Sequence, residues 1–213
     1  MARAGDSPTK MMDVKNPFQL PRVQEIRDGK KFWGYLDTPA LQSRYVLAAH
    51  FLRNIGNIVE VGGYRNNLIT RFLTGPHESV TVFSLDAEFE PLELESLNGA
   101  PCRVRHIKDY FQNHSCPNVG LGVVALGLEI IGDLNPFYDL LRQCQLAVIE
   151  VPPDHAPSMK HLDLVLENVE FRVACRVNLD LSSNEEILRE ELQRTNMNAP
   201  FWKRNMYFLE RVA

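Results

Sequence analysis

The chain has 213 residues, 45% of them hydrophobic and 23% charged, the size and balance of one globular domain with a short appendage rather than of two full domains. Its formal net charge of -4 gives no general attraction for phosphate backbones, which argues against a nucleic-acid partner unless a local basic patch supplies one. Arg103, Arg105, His106 and Lys108 are the one cluster of that kind, and they read either as such a patch or as alternating residues on a solvated strand face.

The four cysteines, Cys102, Cys116, Cys144 and Cys175, form no C-x-x-C pair and have no histidine at zinc-finger spacing. The expectation is four reduced, mostly buried thiols with no disulfide framework and no metal. The N-terminus lacks an apolar signal core, and no run approaches the roughly 18 apolar residues of a membrane span, so a soluble cytoplasmic protein is expected.

Residues 1–38 are polar and punctuated by Pro8, Pro17 and Pro21, and read as an arm or lid ending in the aromatic knot Phe32, Trp33 and Tyr35. From Pro39 the pattern is helical, with Leu41, Tyr45, Ala48, Leu52 and Ile55 on one face and a stop at Gly56. The apolar run Asn57-Ile-Val-Glu-Val61 then enters a turn at Gly62-Gly63, and Leu68-Ile69 with Phe72-Leu73 resumes a helical spacing. Strand, tight loop and helix in that order open a nucleotide-binding βαβ unit.

The alternation continues with strands over 79–85, 102–107, 121–126 and 146–151. Helical patterns over 135–144 and 158–169 separate the later ones. Apolar strands joined by helices imply a largely parallel sheet covered on both faces. Residues 170–181 and 205–212 read as two longer strands around a charged helix over 183–195, which suits an antiparallel pair at one edge.

Five parallel-type strands followed by two that pair antiparallel resemble the class I S-adenosylmethionine-dependent methyltransferases over roughly residues 39–213. The resemblance implies an α/β, Rossmann-like three-layer sandwich with a mostly parallel seven-stranded sheet and an antiparallel C-terminal edge. It also implies S-adenosylmethionine as cofactor. The family's first strand ends in an acidic residue, an apolar residue and Gly-x-Gly-x-Gly. This chain reads Glu60-Val61-Gly62-Gly63-Tyr64-Arg65-Asn66, so Glu60 and Gly62 match while Tyr64 and Asn66 replace glycines. Glycine at such a turn lets a ligand approach the backbone without meeting a Cβ, and Gly63, one place early, can restore clearance that Tyr64 removes.

The same resemblance implies roles for residues at the ends of the later strands. Asp86, near the expected offset of roughly 20 residues from the glycine turn, would accept hydrogen bonds from a ribose. Asp109 either approaches the adenine amino group, with Tyr110 or Phe111 lining the base, or caps the short turn that follows it. Gly127 and Glu129 fall where the family lines the methyl pocket, with Glu129 facing the cleft or capping the next element. His155, in Glu150-Val-Pro-Pro-Asp-His155, is the general-base candidate, against the plainer reading of an exposed loop histidine.

No Asn-Pro-Pro-Tyr or Asp-Pro-Pro-Tyr signature is present, which turns the expectation towards a small-molecule acceptor. A second account is a non-catalytic domain of the same fold serving as a scaffold, for which Tyr64 and Asn66 speak. In that account the acidic residues Glu185, Glu186, Glu190 and Glu191 are either a protein-partner surface or an ordinary solvated face, and self-association stays open. An NAD-dependent oxidoreductase is a third, but Gly62-Gly63-Tyr64 does not satisfy Gly-x-Gly-x-x-Gly.

Overall fold

Residues Pro39–Phe51 form helix α1, which turns Tyr45 and Ala48 inwards, with Leu52 just past its end, at the three- and four-residue spacing visible in the sequence. The computed structural model describes residues 39–63, 68–85, 91–116, 119–128, 131, 133–153, 156–180 and 203–212. The arm over 1–38, the helix over 183–195, and Tyr64, Asp86, Glu129 and His155 lie outside the described residues.

Strand β1 (Asn57–Val61) is buried at all five positions and pairs in parallel with both β2 (Ser79–Phe83) and β5 (Leu121–Leu126). Its first residue fixes the floor of the sheet. The Asn57 side-chain amide donates to the Val119 carbonyl at 2.8 Å, and its oxygen accepts from the Ser79 hydroxyl at 2.6 Å. Helix α2 (Leu68–Phe72) follows β1. The turn into β2 is held by His77, whose Nδ1 lies 2.7 Å from the Ile55 carbonyl and whose Nε2 accepts from the Gly75 N–H at 3.2 Å. A carbonyl only accepts and an N–H only donates, so this buried ring carries its proton on Nδ1.

Strand β3 (Leu92–Leu97) turns back on β4 (Ala100–Ile107) as an antiparallel hairpin, and β4 pairs in parallel with β2. Beyond β5 come α3 (Asn135–Leu141), β6 (Leu146–Val151), α4 (Ala156–Asn168), β7 (Phe171–Asp180) and β8 (Lys203–Arg211). The sheet order is β3-β4-β2-β1-β5-β6-β8-β7, with β8 antiparallel to both β6 and β7. The Rossmann-like architecture and the antiparallel C-terminal edge are therefore as expected.

Among the described residues the sheet has eight strands rather than seven. The added strand is β3, and its signal is local: Leu92-Glu-Leu-Glu-Ser-Leu97 alternates with period two and runs into Asn98-Gly99. Asn98 has φ 51° and Gly99 φ 83°, the pair of left-handed residues that a two-residue hairpin turn requires. Among the described residues a strand, not a helix, thus makes the passage from β2 to β4. A 3-10 turn, Phe111–Asn113, stands between β4 and β5.

Alternation along the central strands sorts the core into two layers. Ile58, Val82, Val124, Val148 and Met206 face α1 and α2, while Val59, Phe83, Val123, Ile149 and Leu209 face α3 and α4. Of the cysteines, Cys102 and Cys144 are buried, Cys116 is half-buried and Cys175 is exposed, because β7 is an edge strand open to solvent along most of its length. The basic cluster on β4 divides in the same way: Arg103 is exposed, Arg105 is half-buried on the same face, and His106 is buried on the other.

Candidate functional site

The carboxyl ends of β1, β2, β4, β5 and β6 share one rim, because these strands are all parallel. Open α/β sheets bind their ligands at this rim. At the end of β1 the chain turns at Gly62, whose φ of 73° is readily adopted only by glycine. Gly63 then folds back over the sheet, its N–H donating to the Phe83 carbonyl at 2.8 Å. A Cβ built on Gly63 would lie 2.2 Å from a Val82 methyl and 3.5 Å from the Glu60 carboxyl carbon. The glycine that the sequence puts one place early is thus the one in closest contact with the sheet.

Glu60 points to the α1 face beside its register partners Val82 and Val124. It is 1% exposed, and its Oε2 has no hydrogen-bond partner among the described residues. Burial pushes its carboxyl up to about 8 from an ordinary 4.5, with the Arg44 charge opposing. Arg44 comes from α1 and donates through Nη1 to Oε1 of Glu150 at 2.7 Å. Arg204, at the start of β8, donates through Nε to the same oxygen. Burial by itself raises Glu150, but the two arginines, through charge and hydrogen bonds together, hold it below the usual carboxylate range. Neither arginine was singled out in the sequence. The period-two spacing of Arg204 with the inward Met206 and Phe208 was the available signal, as was the four-residue spacing of Arg44 to Ala48.

Past β4, Asp109 accepts hydrogen bonds from the Tyr110 N–H at 2.7 Å, the Asn113 amide at 2.9 Å and His114 Nε2 at 3.0 Å. These bonds, the Tyr110 one foremost, hold its carboxyl below its ordinary range. Two of these bonds come from side chains and one from the backbone N–H of the next residue, no side chain caps the 3-10 turn itself, and Tyr110 is exposed on the rim. His114, which the sequence reading did not consider, lies against Phe83 with ring centroids 5.3 Å apart. Gly127 follows β5 at φ 140° and is buried. The structure therefore gathers Glu60, Gly62 and Gly63 at one turn and sets Asp109 with Tyr110 at a second strand end of the same rim. Among the described residues no group of three or more His, Cys, Asp or Glu could hold a metal ion.

The buried titrating groups give stability a defined pH dependence. His106, lowered by burial from 6.5 to about 4, is neutral when folded and charged when unfolded between those values, so its contribution grows as pH rises. Glu60 keeps its proton when folded from 4.5 up to about 8 and loses it when unfolded, so its contribution is lost as pH rises through that window. The two slopes oppose each other below pH 6.5, and above it only that of Glu60 remains. The unfolding free energy is expected to fall by about 2 kcal/mol between pH 6.5 and 8, and Glu60→Gln is expected to abolish the fall. Urea titrations across this range check it, and a flat wild-type profile would contradict the assignment.

No protein-family model matches the chain, and no curated protein matches it in sequence. Solved structures do match. The N-methyltransferase NodS from Bradyrhizobium japonicum WM9, in complex with S-adenosyl-L-homocysteine, is 11% identical with a TM-score of 0.55, over 89% of this chain and 98% of that one. A SAM-dependent methyltransferase from Geobacter sulfurreducens, also in complex with S-adenosyl-L-homocysteine, is 11% identical with a TM-score of 0.53, over 92% of this chain and 100% of that one. The cyclase SpnF is 12% identical with a TM-score of 0.56, over 82% of each chain. At these identities the likeness is one of fold, and the fold is shared by transferases and by a cyclase.

Proposed function

We propose that this chain, which has the Rossmann-like fold of the class I S-adenosylmethionine-dependent methyltransferases, binds S-adenosylmethionine and transfers its methyl group to a small-molecule acceptor. The observation that carries the reading is Glu60: a fully buried carboxyl whose Oε2 has no hydrogen-bond partner among the described residues, next to a glycine turn on the ligand-binding rim. A buried polar atom without a partner is rare in a native interior and calls for a ligand or water to complete it. The ammonium of an amino-acid end is a donor of the right charge for a carboxylate.

In this reading Glu60, Gly62, Gly63 and Tyr64 hold the methionine end, and Asp86 holds the ribose. Tyr110 lines the base on a turn that Asp109 keeps in place, which supports Asp109 as a positioning residue, consistent with its three local bonds. Gly127 and Glu129 border the methyl pocket. His155 takes the acceptor's proton, so that the acceptor forms its new bond to carbon as a neutral product. The cofactor supplies an activated methyl group, and the chain supplies position and charge. The protein acts in the cytoplasm. Among the described residues no helix is long and apolar enough to cross a membrane.

The test is calorimetric titration of the full chain with S-adenosylmethionine and S-adenosylhomocysteine at pH 8.5. Saturable binding with a Kd on the order of micromolar, weakened at least tenfold by Asp86→Ala, is the expected result. Absence of binding by the folded protein at about a thousandfold higher ligand concentration would favour the scaffold account, for which the replaced glycines speak.

A further inference from the structure

The sheet ends in β3 on one side and β7 on the other, and among the described residues no strand pairs with the outer side of either. Each therefore presents a row of backbone N–H and C=O groups along its edge. Every residue of β3 except Leu97 is exposed, as is most of β7, including Cys175 and Arg176. The two edges are opposite in charge: β3 carries Glu93 and Glu95, and β7 carries Arg172 and Arg176. Arg172 is engaged by Glu210 at 2.8 Å. Arg176 is steadied by a 2.9 Å bond from its Nε to Asn178 Oδ1 and by the Tyr207 ring beneath it.

Residues directly opposite each other on neighbouring strands share a face of the sheet. Leu92 and Leu94 lie opposite His106 and Val104 on the side of α1 and α2, and Glu93 lies opposite Arg105 on the other side. On β7, Cys175 and Val177 lie opposite Phe208 and Met206, again on the side of α1 and α2, and Arg176 lies opposite Tyr207 on the other. The directions also agree. β3 runs against the parallel strands and β7 runs with them, so two copies in the same orientation bring β7 of one antiparallel to β3 of the next. The register that sets Glu93 against Arg176 also sets Leu92 against Val177 and Leu94 against Cys175. Charge on an edge strand ordinarily prevents pairing, because identical edges meet like with like. β7 beside β7 gathers arginines from both copies and β3 beside β3 gathers glutamates, whereas β3 beside β7 joins opposite signs.

We propose that the chain self-associates head to tail, β7 of one copy adding antiparallel to β3 of a second copy, with Glu93 against Arg176 on one face and Leu92 and Leu94 against Val177 and Cys175 on the other. Such an interface is heterologous, so a dimer keeps one free β3 and one free β7, and growth continues unless a ring closes. The seam is short, because each edge strand breaks register, between Leu94 and Ser96 on β3 and between Val173 and Cys175 on β7. Association is accordingly weak, with a Kd of about 0.1 mM. The seam contains no residue to which the function proposed above assigns a role, and the inference stands independently of that function.

The experiment is sedimentation velocity of the full chain under reducing conditions, from about a tenth of that Kd to about ten times it. The average mass is expected to rise with concentration past that of a dimer. Glu93→Lys and Arg176→Glu are each expected to weaken association roughly five- to tenfold, by setting like charges against each other. The double variant is expected to restore it, as is an equal mixture of the two single variants, in which every contact between unlike chains joins opposite charges. A second measurement uses Leu94→Cys, which sets a thiol against Cys175. Mild oxidation is expected to give a ladder of disulfide-linked oligomers, cut back to dimers at most when Cys175→Ala is added. A chain that stays monomeric at the highest concentration overturns the proposal. So does association that levels off at a dimer, or that Glu93→Lys leaves unchanged.

Discussion

Glu150→Ala is expected to lower the unfolding free energy by about 3–5 kcal/mol at pH 7, the range for breaking a buried ion pair from one side. Glu150 is 0% exposed, and its Oε1 receives Arg44 and Arg204 together. Removing the carboxylate takes the shared anion from two guanidinium groups whose side chains are 8% and 6% exposed. Neither can lose its charge by deprotonating. The loss also unties three elements at once, since the pair links α1 to β6 and β6 to β8 in a sheet where β8 carries the edge strand β7. Glu150→Gln keeps the shape and one acceptor oxygen, and is expected to lose roughly half as much. Urea unfolding of the three proteins measures this, and a loss under about 1 kcal/mol for Glu150→Ala would show that the pair is relaxed by solvent.

Gly63→Ala is expected to lower stability by about 2–3 kcal/mol, in the range of core overpacking. The added methyl would stand 2.2 Å from a Val82 methyl on β2, where Val82 is fully buried and β-branched. A valine in a sheet has little freedom to turn away. The same methyl would press on the Glu60 carboxyl, 3.5 Å off, so binding of S-adenosylhomocysteine is expected to weaken more than tenfold. A double-mutant cycle separates clash from other effects. Val82→Ala alone leaves a cavity, but the pair Gly63→Ala with Val82→Ala is expected to be at least about 1.5 kcal/mol more stable than the two losses added together. Strict additivity would mean that Val82 is not what Gly63 accommodates.

The legible part of the candidate site was its backbone. Asn57 to Gly63 is an apolar run that ends in glycines, and both features are local consequences of residue type. The local bonding of Asp109 is of the same kind: a carboxylate just ahead of a turn reaches donors within a few residues, here Tyr110, Asn113 and His114. The Leu92–Leu97 strand was equally local, with its alternation and its Asn98-Gly99 turn, but it is an exposed strand, unlike the apolar runs by which the other crossover strands are read. Arg44 and Arg204 were of another kind. Their shared partner lies 106 residues from one and 54 from the other, and an isolated arginine in a helix or strand is ordinarily at the surface.

From the sequence alone came the strand and helix succession, the sandwich class and the turn at Gly62-Gly63, since propensity, periodicity and backbone freedom act over a few residues. The tertiary structure decided which strand ends meet, that β3 lies at one edge, and that Glu60 is buried beside Gly63 with no partner for its Oε2 among the described residues. It also decided that Arg44, Glu150 and Arg204 form one charged cluster. Burial and electrostatic pairing depend on which distant segments pack together, and the ionisation of a carboxyl follows from that packing and not from its neighbours in the chain.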